Sequence, residues 1–123
     1  MNNRVSTKKD WKIFRERIAG WQEAYMDRLN KEYIELLSGD GAPSDKFWKL
    51  EKRIREDRKS PGVIVEIGRE ELEHILIGLM ADEVITEQDL EGFGDELKAR
   101  VLHMVELWRR DESESSENDP AES

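Results

Sequence analysis

The chain has 123 residues and no cysteine, and 40% of its residues are charged. This length suits one domain with a modest hydrophobic core, and the absence of cysteine excludes disulfides, thiolate metal ligands and cysteine nucleophiles. Residues 1–60 contain 15 Lys or Arg and 11 Asp or Glu, a net charge of +4, whereas residues 61–123 contain 5 and 18, a net charge of −13. Such an acidic half repels phosphate backbones and favours a basic partner.

The sequence carries no pattern typical of export or membrane insertion. No apolar run of signal-peptide length follows Met1. The longest apolar stretch, residues 75–81, is closed by Asp82 and Glu83, whereas a membrane span needs about 20 apolar residues. We therefore expect a soluble, cytoplasmic protein that has no membrane as a partner.

The first predicted helix begins at Thr7, because Thr7 and Asp10 have the spacing of a capping box. Large apolar residues then recur at steps of three or four, which predicts one stripe about eight turns long. The stripe consists of Trp11, Phe14, Ile18, Trp21, Tyr25, Leu29, Tyr33 and Leu36. Two glycines and Pro43, within residues 38–43, end this helix.

A second predicted helix begins at Ser44 and ends before the Ser-Pro-Gly of residues 60–62. It is mostly charged, and a narrow apolar edge is expected to dock on the first helix. Phe47 and Trp48 are adjacent, so helical spacing prevents both from pointing into one core. We expect one of the two to be partly exposed, and the sequence leaves open which one.

The remaining sequence predicts one extended segment followed by helices. Residues 63–67 are rich in β-branched side chains and favour a short extended segment, whose pairing stays open. A helix from Arg69 carries the densest apolar cluster of the chain and predicts the centre of the core. This cluster consists of Leu72, Ile75, Leu76, Leu79 and Met80.

Two more helices are predicted after this cluster. Thr86 and Asp89 repeat the capping-box spacing and start a short helix that contains Leu90. A last helix follows the glycines of residues 92–94. Its predicted buried side chains are Leu97, Val101, Met104, Val105 and Trp108.

Residues 111–123 contain six acids and no apolar residue larger than Ala121. Such a segment cannot offset its ordering entropy by burial, so we expect a disordered acidic tail. The predicted fold is mostly α, a compact bundle of about four to five helices with one short extended segment. A single helical domain is expected to span residues 1–110, ordered from about residue 7.

The two histidines each have a carboxylate one helical turn away, Glu71 beside His74 and Glu106 beside His103. Di-metal sites in helical bundles use such pairs together with carboxylates from two other helices, and the other helices offer no isolated inward-pointing acid. We therefore predict no metal, no cofactor and no catalytic residue. A helical metal-binding protein or enzyme that uses His74 and His103 is kept as an alternative.

Four runs of sequence resemble a family of small uncharacterised bacterial proteins: WQEAYM (residues 21–26), KEYIELL (31–37), FWKLEKRI (47–54) and DLEGFGDELK (89–98). The resemblance spans most of residues 10–102 and leaves out the acidic tail. Some members of that family are labelled multidrug transporters, a label that this chain does not fit because no segment can span a membrane. The resemblance implies a stand-alone bacterial or mobile-element protein and supplies no functional residues.

The leading hypothesis is a non-enzymatic interaction or regulatory protein that presents an acidic surface to a basic protein, such as a nucleic-acid-binding protein. One form is an inhibitor, encoded by a mobile element, that mimics nucleic-acid charge. Direct nucleic-acid binding is not expected, because acids interrupt the basic run of the second helix. The candidate partner-binding residues are Glu70, Glu73, Glu83, Glu87, Glu91, Asp95, Glu96 and Trp48. The alternative is a self-associating helical module, a homodimer paired through the long stripe of the first helix.

Overall fold

The computed structural model describes residues 6–65 and 68–117, with side chains in the last helix described as far as residue 111. Its helices are α1 (Lys8–Ser38), α2 (Pro43–Asp57), α3 (Leu72–Ala81) and α4 (Asp95–Glu117), and its two 3₁₀ turns are Arg69–Glu71 and Glu87–Leu90. Within these two described ranges there is no β-strand. The predicted mostly α fold is confirmed.

The core lies where α3 and α4 pack against the first half of α1. Leu72, Leu76 and Leu79 on α3 are fully buried, which confirms the predicted centre of the core. The remaining buried members are Phe14, Ile75, Met80, Ile85, Leu90, Phe93, Leu97, Val101 and Val105. Trp11 and Trp21 of α1 are half-buried and pack against this core.

Helices α3 and α4 run in parallel. Glu73 near the start of α3 contacts Arg100 near the start of α4, and Met80 near the end of α3 lines the same cleft as Arg109. Residues 82–94, which include the 3₁₀ turn Glu87–Leu90, carry the chain back from the end of α3 to the start of α4. Both helices therefore begin at one end of the core.

The last helix buries a narrower stripe and extends further than the sequence predicts. Leu97, Val101 and Val105 are buried at steps of four, whereas Met104 and Trp108 are 44% and 45% exposed. The cause is length, since α3 has 10 residues and α4 has 23, so α3 does not cover the far part of α4. The helix was expected to end at residue 110 and continues to residue 117, because extending a formed helix adds one backbone bond per residue fixed. The rest of the predicted tail, residues 118–123, lies outside the described residues.

A buried carboxylate fixes the start of α1 to the start of α4. Asp10 is 1% exposed, and its Oδ2 accepts a hydrogen bond from the Thr7 N–H at 3.0 Å, completing the predicted capping box. Its Oδ1 accepts the Gly94 N–H at 2.9 Å. The Asp10 carboxylate thus closes the capping box of α1 and also bonds a backbone N–H of the loop before α4.

Beyond Trp21, α1 leaves the core and pairs with α2. We call residues 22–59 the distal hairpin and the remaining described residues the body. Arg53 of α2 forms ion pairs with Glu32 of α1 and, at 3.2 Å, with Asp57. The Tyr33 hydroxyl donates to Asp57 Oδ2 at 2.5 Å. Polar contacts therefore hold much of the seam between the two helices.

The chain re-enters the body through a tight turn at residues 60–65. The Val63 and Ile64 N–H groups donate to the Ser60 carbonyl at 2.9 and 3.1 Å. Gly62 is required here, because a Cβ at this position would lie 2.5 Å from the ring of Tyr25. The predicted extended segment therefore begins in a turn, and no described residue pairs with it as a strand. Residues 66 and 67 lie outside the described residues.

None of the four α-helices is both long enough and apolar enough over its described residues to cross a bilayer. The most apolar of them, α3, has only 10 residues, about half of the length that a span requires.

Candidate interaction surfaces

The first part of the predicted acidic surface is built by the turn that ends α3. The Val84 N–H bonds the Leu79 carbonyl at 2.8 Å and the Glu83 N–H bonds the Met80 carbonyl at 3.0 Å, the two bonds of a Schellman motif. This motif places Glu83 at φ 59°, in the left-handed region that glycine usually occupies. The side chain of Glu83 is exposed at the end of α3.

The next turn confirms the second predicted capping motif. The Asp89 carboxylate accepts hydrogen bonds from the Thr86 N–H at 2.7 Å and from the Thr86 hydroxyl at 3.2 Å. The resulting helix is a single 3₁₀ turn that buries Leu90 completely. Glu87 and Glu91, on either side of it, are exposed.

An arginine from α1 holds the acidic loop, residues 82–94, in place. Arg17 Nη1 donates to the carbonyls of Asp89 and Glu91 at 3.0 and 2.7 Å, and its guanidinium lies 5.5 Å from the Phe93 ring centroid. Gly92 has φ 99°, and a Cβ there would approach Arg17 Nη2 to 3.0 Å. A contact across more than 70 residues leaves no local pattern, so the sequence could not reveal it.

A second arginine, Arg28, holds the main chain of the same loop at Glu83. Arg28 Nη2 donates to the Glu83 carbonyl at 2.9 Å, and its guanidinium lies 5.1 Å from the Tyr25 ring centroid. Both arginines bond main-chain oxygens and bring positive charge among the acids. The acidic surface is therefore less uniform in space than in sequence.

Six of the eight predicted partner-binding residues are exposed acids that form no ion pair within the described part of the chain. We call this set the acidic surface; it consists of Glu70, Glu83, Glu87, Glu91, Asp95 and Glu96. Glu73, the seventh predicted acid, is instead bonded by Arg100 at 2.9 and 3.3 Å. That interaction raises the pKa of Arg100, and it commits Glu73 to joining α3 with α4.

The structure separates five of the six residues of the acidic surface into two groups, and Glu91 lies in the chain segment that connects them. Glu70, Asp95 and Glu96 lie at the end of the body where α3 and α4 begin. Glu83 and Glu87 instead line a cleft of about 640 Å³ that also contains Arg28 and Arg109. The sequence predicted one acidic region, because it could not show that α3 and α4 run in parallel.

Trp48, the eighth predicted residue, belongs to a different surface. Trp48 and Phe47 are 63% and 62% exposed, so the expectation that only one of them is exposed is wrong. Their rings meet edge to face with centroids 4.9 Å apart. The half-buried positions of α2 are instead Lys46, Leu50, Arg53 and Asp57. The helix turns a largely polar stripe towards α1 and its aromatic side chains towards solvent.

Exposed apolar side chains share one face of the distal hairpin. Each residue turns about 100° around a helix, so Ile34 and Leu37 lie about 140–200° away from Glu32 on α1. On α2, Phe47 and Ile54 lie about 100–120° away from Arg53. Because Glu32 and Arg53 pair on one side of the hairpin, the other four converge on the opposite side. The hairpin face, as we call it, consists of Ile34, Leu37, Phe47 and Ile54, with Trp48 at its edge; these are 62%, 43%, 62%, 38% and 63% exposed.

The two histidines are both exposed. His74 lines an apolar groove of about 650 Å³ together with Trp108 and Ile64, and His103 is on the exposed side of α4. Among the described residues, no group of three or more His, Asp or Glu side chains lies close enough to hold a metal. The structure therefore adds no further ligand to either predicted pair.

Comparison of the chain with family models, with curated proteins and with solved structures gave no match. The resemblance to small bacterial proteins therefore stays a prediction.

Proposed function

We propose that this chain is a non-enzymatic interaction protein whose acidic surface binds a basic protein partner. The observation that carries the proposal is that six of the seven predicted acids are exposed and form no ion pair within the described residues, whereas five of the nine acids of the distal hairpin are paired with neighbouring bases. An acid that is paired with a base contributes little electric field at a distance. An unpaired acid contributes a negative field that reaches beyond the surface. That field attracts basic proteins and raises their association rate.

The distribution of charge supports the body as the binding region. Residues 60–123 contain 5 bases and 18 acids, residues 22–59 contain nine of each, and residues 1–21 contain six bases and two acids. The net charges are −13, 0 and +4. All of the net negative charge is therefore carried by residues 60–123, which contain 18 of the 29 acids.

Inhibition by nucleic-acid mimicry is one form of this function, in which the acids occupy a groove that normally binds phosphates. A mobile-element protein that regulates a host nucleic-acid-binding protein would act in this way. Duplex DNA would then compete with the chain for its partner, because both need the same basic groove. A partner that binds this chain outside its nucleic-acid groove would instead bind the chain and the DNA at the same time.

The test is charge reversal with a matched control. The triple variant Glu87→Lys, Glu91→Lys and Glu96→Lys changes the net charge by +6 on the acidic surface. The control triple, Glu23→Lys, Glu35→Lys and Asp40→Lys, makes the same change at exposed acids of the distal hairpin. We expect capture of the partner from host lysate to fall sharply for the first variant and to change little for the control.

Salt gives an independent measurement of the same proposal. Raising NaCl from about 0.1 to 1 M shortens the Debye length from about 10 to 3 Å, so capture by the wild type should weaken. Equal capture by both triple variants, together with no response to salt, would contradict the proposal and leave the acids with a role in solubility. Circular dichroism of each variant verifies that the helices are retained.

A further inference from the structure

We propose that the hairpin face binds a second copy of this chain, so that two distal hairpins complete an antiparallel four-helix bundle. The inference is independent of the proposed acidic-surface function, since it concerns another part of the molecule. A pair of helices buries only the seam between them, and helical bundles become stable when a further layer covers the remaining apolar face. In the described structure the hairpin has no such layer.

The orientation of α2 is the first argument for a missing layer. Leu50 is the only half-buried apolar side chain of α2, whereas Phe47, Trp48 and Ile54 are exposed. Helices of globular proteins normally direct their apolar stripe inwards and their charged side outwards. A large contiguous apolar patch at an exposed end marks an interaction site.

Charge is the second argument, and it selects the occupant. The distal hairpin contains nine bases and nine acids, so it exerts no net attraction on a nucleic acid, an anionic membrane or a charged protein. Two copies of a neutral surface approach each other without repulsion. A second copy also supplies an identical, self-complementary set of aliphatic and aromatic side chains, as a two-fold interface requires.

Repulsion between the bodies selects the antiparallel arrangement. The chain outside residues 22–59 carries a net charge of −9, which is +4 from residues 1–21 and −13 from residues 60–123, so two bodies placed side by side would repel each other. Antiparallel hairpins put the bodies at opposite ends of the four-helix bundle. Identical positions at the hairpin tips are then closer together than identical positions in the bodies.

The size of the hairpin face sets the expected strength of the pair. An aromatic side chain buries about 150–250 Å² when it is fully covered, and Phe47 and Trp48 leave 62% and 63% of their surface exposed. Specific interfaces cover about 800 Å² on each partner, so these two rings provide a large share of a small interface. We therefore expect reversible association with a dissociation constant of roughly 1–100 µM.

Sedimentation equilibrium of the full chain tests the pairing directly. Between about 0.1 and 500 µM, the wild-type mass should rise from near 14.4 kDa towards twice that value. The double variant Ile34→Glu and Phe47→Glu should stay at the monomer mass, because it places charges in the centre of the interface. Met104→Glu, at a residue of α4 that is 44% exposed, is the matched control and should still dimerise. Trp48→Ala, which adds no charge, should weaken the dimer by about tenfold.

Spin labels test the arrangement, and the absence of cysteine makes a single label site possible. Labels at Asp40→Cys, in the hairpin tip, should give a shorter distance between copies than labels at Asp95→Cys, in the body. The reverse order would overturn the antiparallel bundle. Salt up to about 1 M should leave the dimer intact or strengthen it, because it screens the repulsion between bodies.

Two other outcomes would overturn the pairing itself. One is a wild-type chain that remains monomeric at every concentration, and the other is a dimer that the Ile34→Glu and Phe47→Glu variant retains. A monomer that binds vesicles of phosphatidylserine and phosphatidylcholine, and loses this binding in the double variant, would assign the hairpin face to a membrane surface instead.

Discussion

The distal hairpin and the body are stabilised in opposite ways. The body encloses side chains such as Leu76 and Val101 that are fully buried, and six of its exposed acids form no ion pair within the described residues. The hairpin pairs five of its nine acids with bases, and it exposes the apolar side chains of the hairpin face while it buries Leu29. The net charge of −9 conceals this division, because residues 22–59 contribute nothing to this sum and the rest of the chain contributes all of it. Stability and binding therefore have to be tested separately in each region.

The largest expected difference comes from one substitution made in both regions. Leu76→Ala removes a side chain that is 0% exposed and should lower the free energy of unfolding by about 3–5 kcal/mol. Leu37→Ala removes one that is 43% exposed and should cost less than about 1 kcal/mol in the monomer. Urea denaturation at low protein concentration measures both. Equal losses would show that the hairpin has a core of its own.

A smaller effect is expected from the hydrogen bond across the hairpin seam. Partial burial, followed by the bond to Asp57, raises the pKa of Tyr33 above its ordinary value of 10.0. Tyr33 therefore contributes stability that is fully present below about pH 10 and is lost as the pH rises further. Tyr33→Phe should lower the unfolding free energy by about 1 kcal/mol at pH 8.

The pH dependence distinguishes this bond from ordinary packing. The stability difference between the wild type and Tyr33→Phe should shrink between pH 9 and pH 11. Burial also raises the pKa of Tyr25. Tyr25 is present in both proteins, so its contribution cancels in the comparison. A difference that stays constant over this range would mean that the hydroxyl is not bonded to Asp57 in solution.

The smallest predicted effect lies at the junction of the two regions. Gly20 is an exposed residue within α1, and no atom lies within 4 Å of the Cβ that alanine would add. Gly20→Ala should therefore raise the unfolding free energy by about 0.5–1 kcal/mol. Gly62→Ala is the contrasting variant and should destabilise, because its Cβ would clash with Tyr25. A loss of stability in Gly20→Ala would indicate that the junction needs to bend.

Features that depend on neighbouring residues were predictable from the sequence. Both capping motifs, at Thr7 and Thr86, occur as expected because each joins residues three positions apart. The apolar cluster of α3 is the core because no other stretch combines so many apolar side chains. These features follow from local spacing and composition, which the sequence shows directly.

Features that depend on distant contacts were not predictable. The sequence predicts one continuous apolar stripe on α1. In the structure, the first half of this stripe packs on the core and the second half lies against α2. The sequence could not show which side of α2 faces α1, because Arg53 and Asp57 are polar and nevertheless occupy the covered side. Nor could it place Arg17 and Arg28, which bond carbonyls 55 to 74 residues away.

The continuity of α1 has a consequence for valency. One helix of 31 residues, about 46 Å long, runs from the body into the hairpin, so the two regions are joined by a rod. A dimer formed through the hairpins would hold two acidic surfaces at a fixed separation. A partner with two basic sites at that spacing would meet the second surface at a high effective concentration, and its avidity would exceed the affinity of one site. A partner with a single site would gain nothing from the dimer.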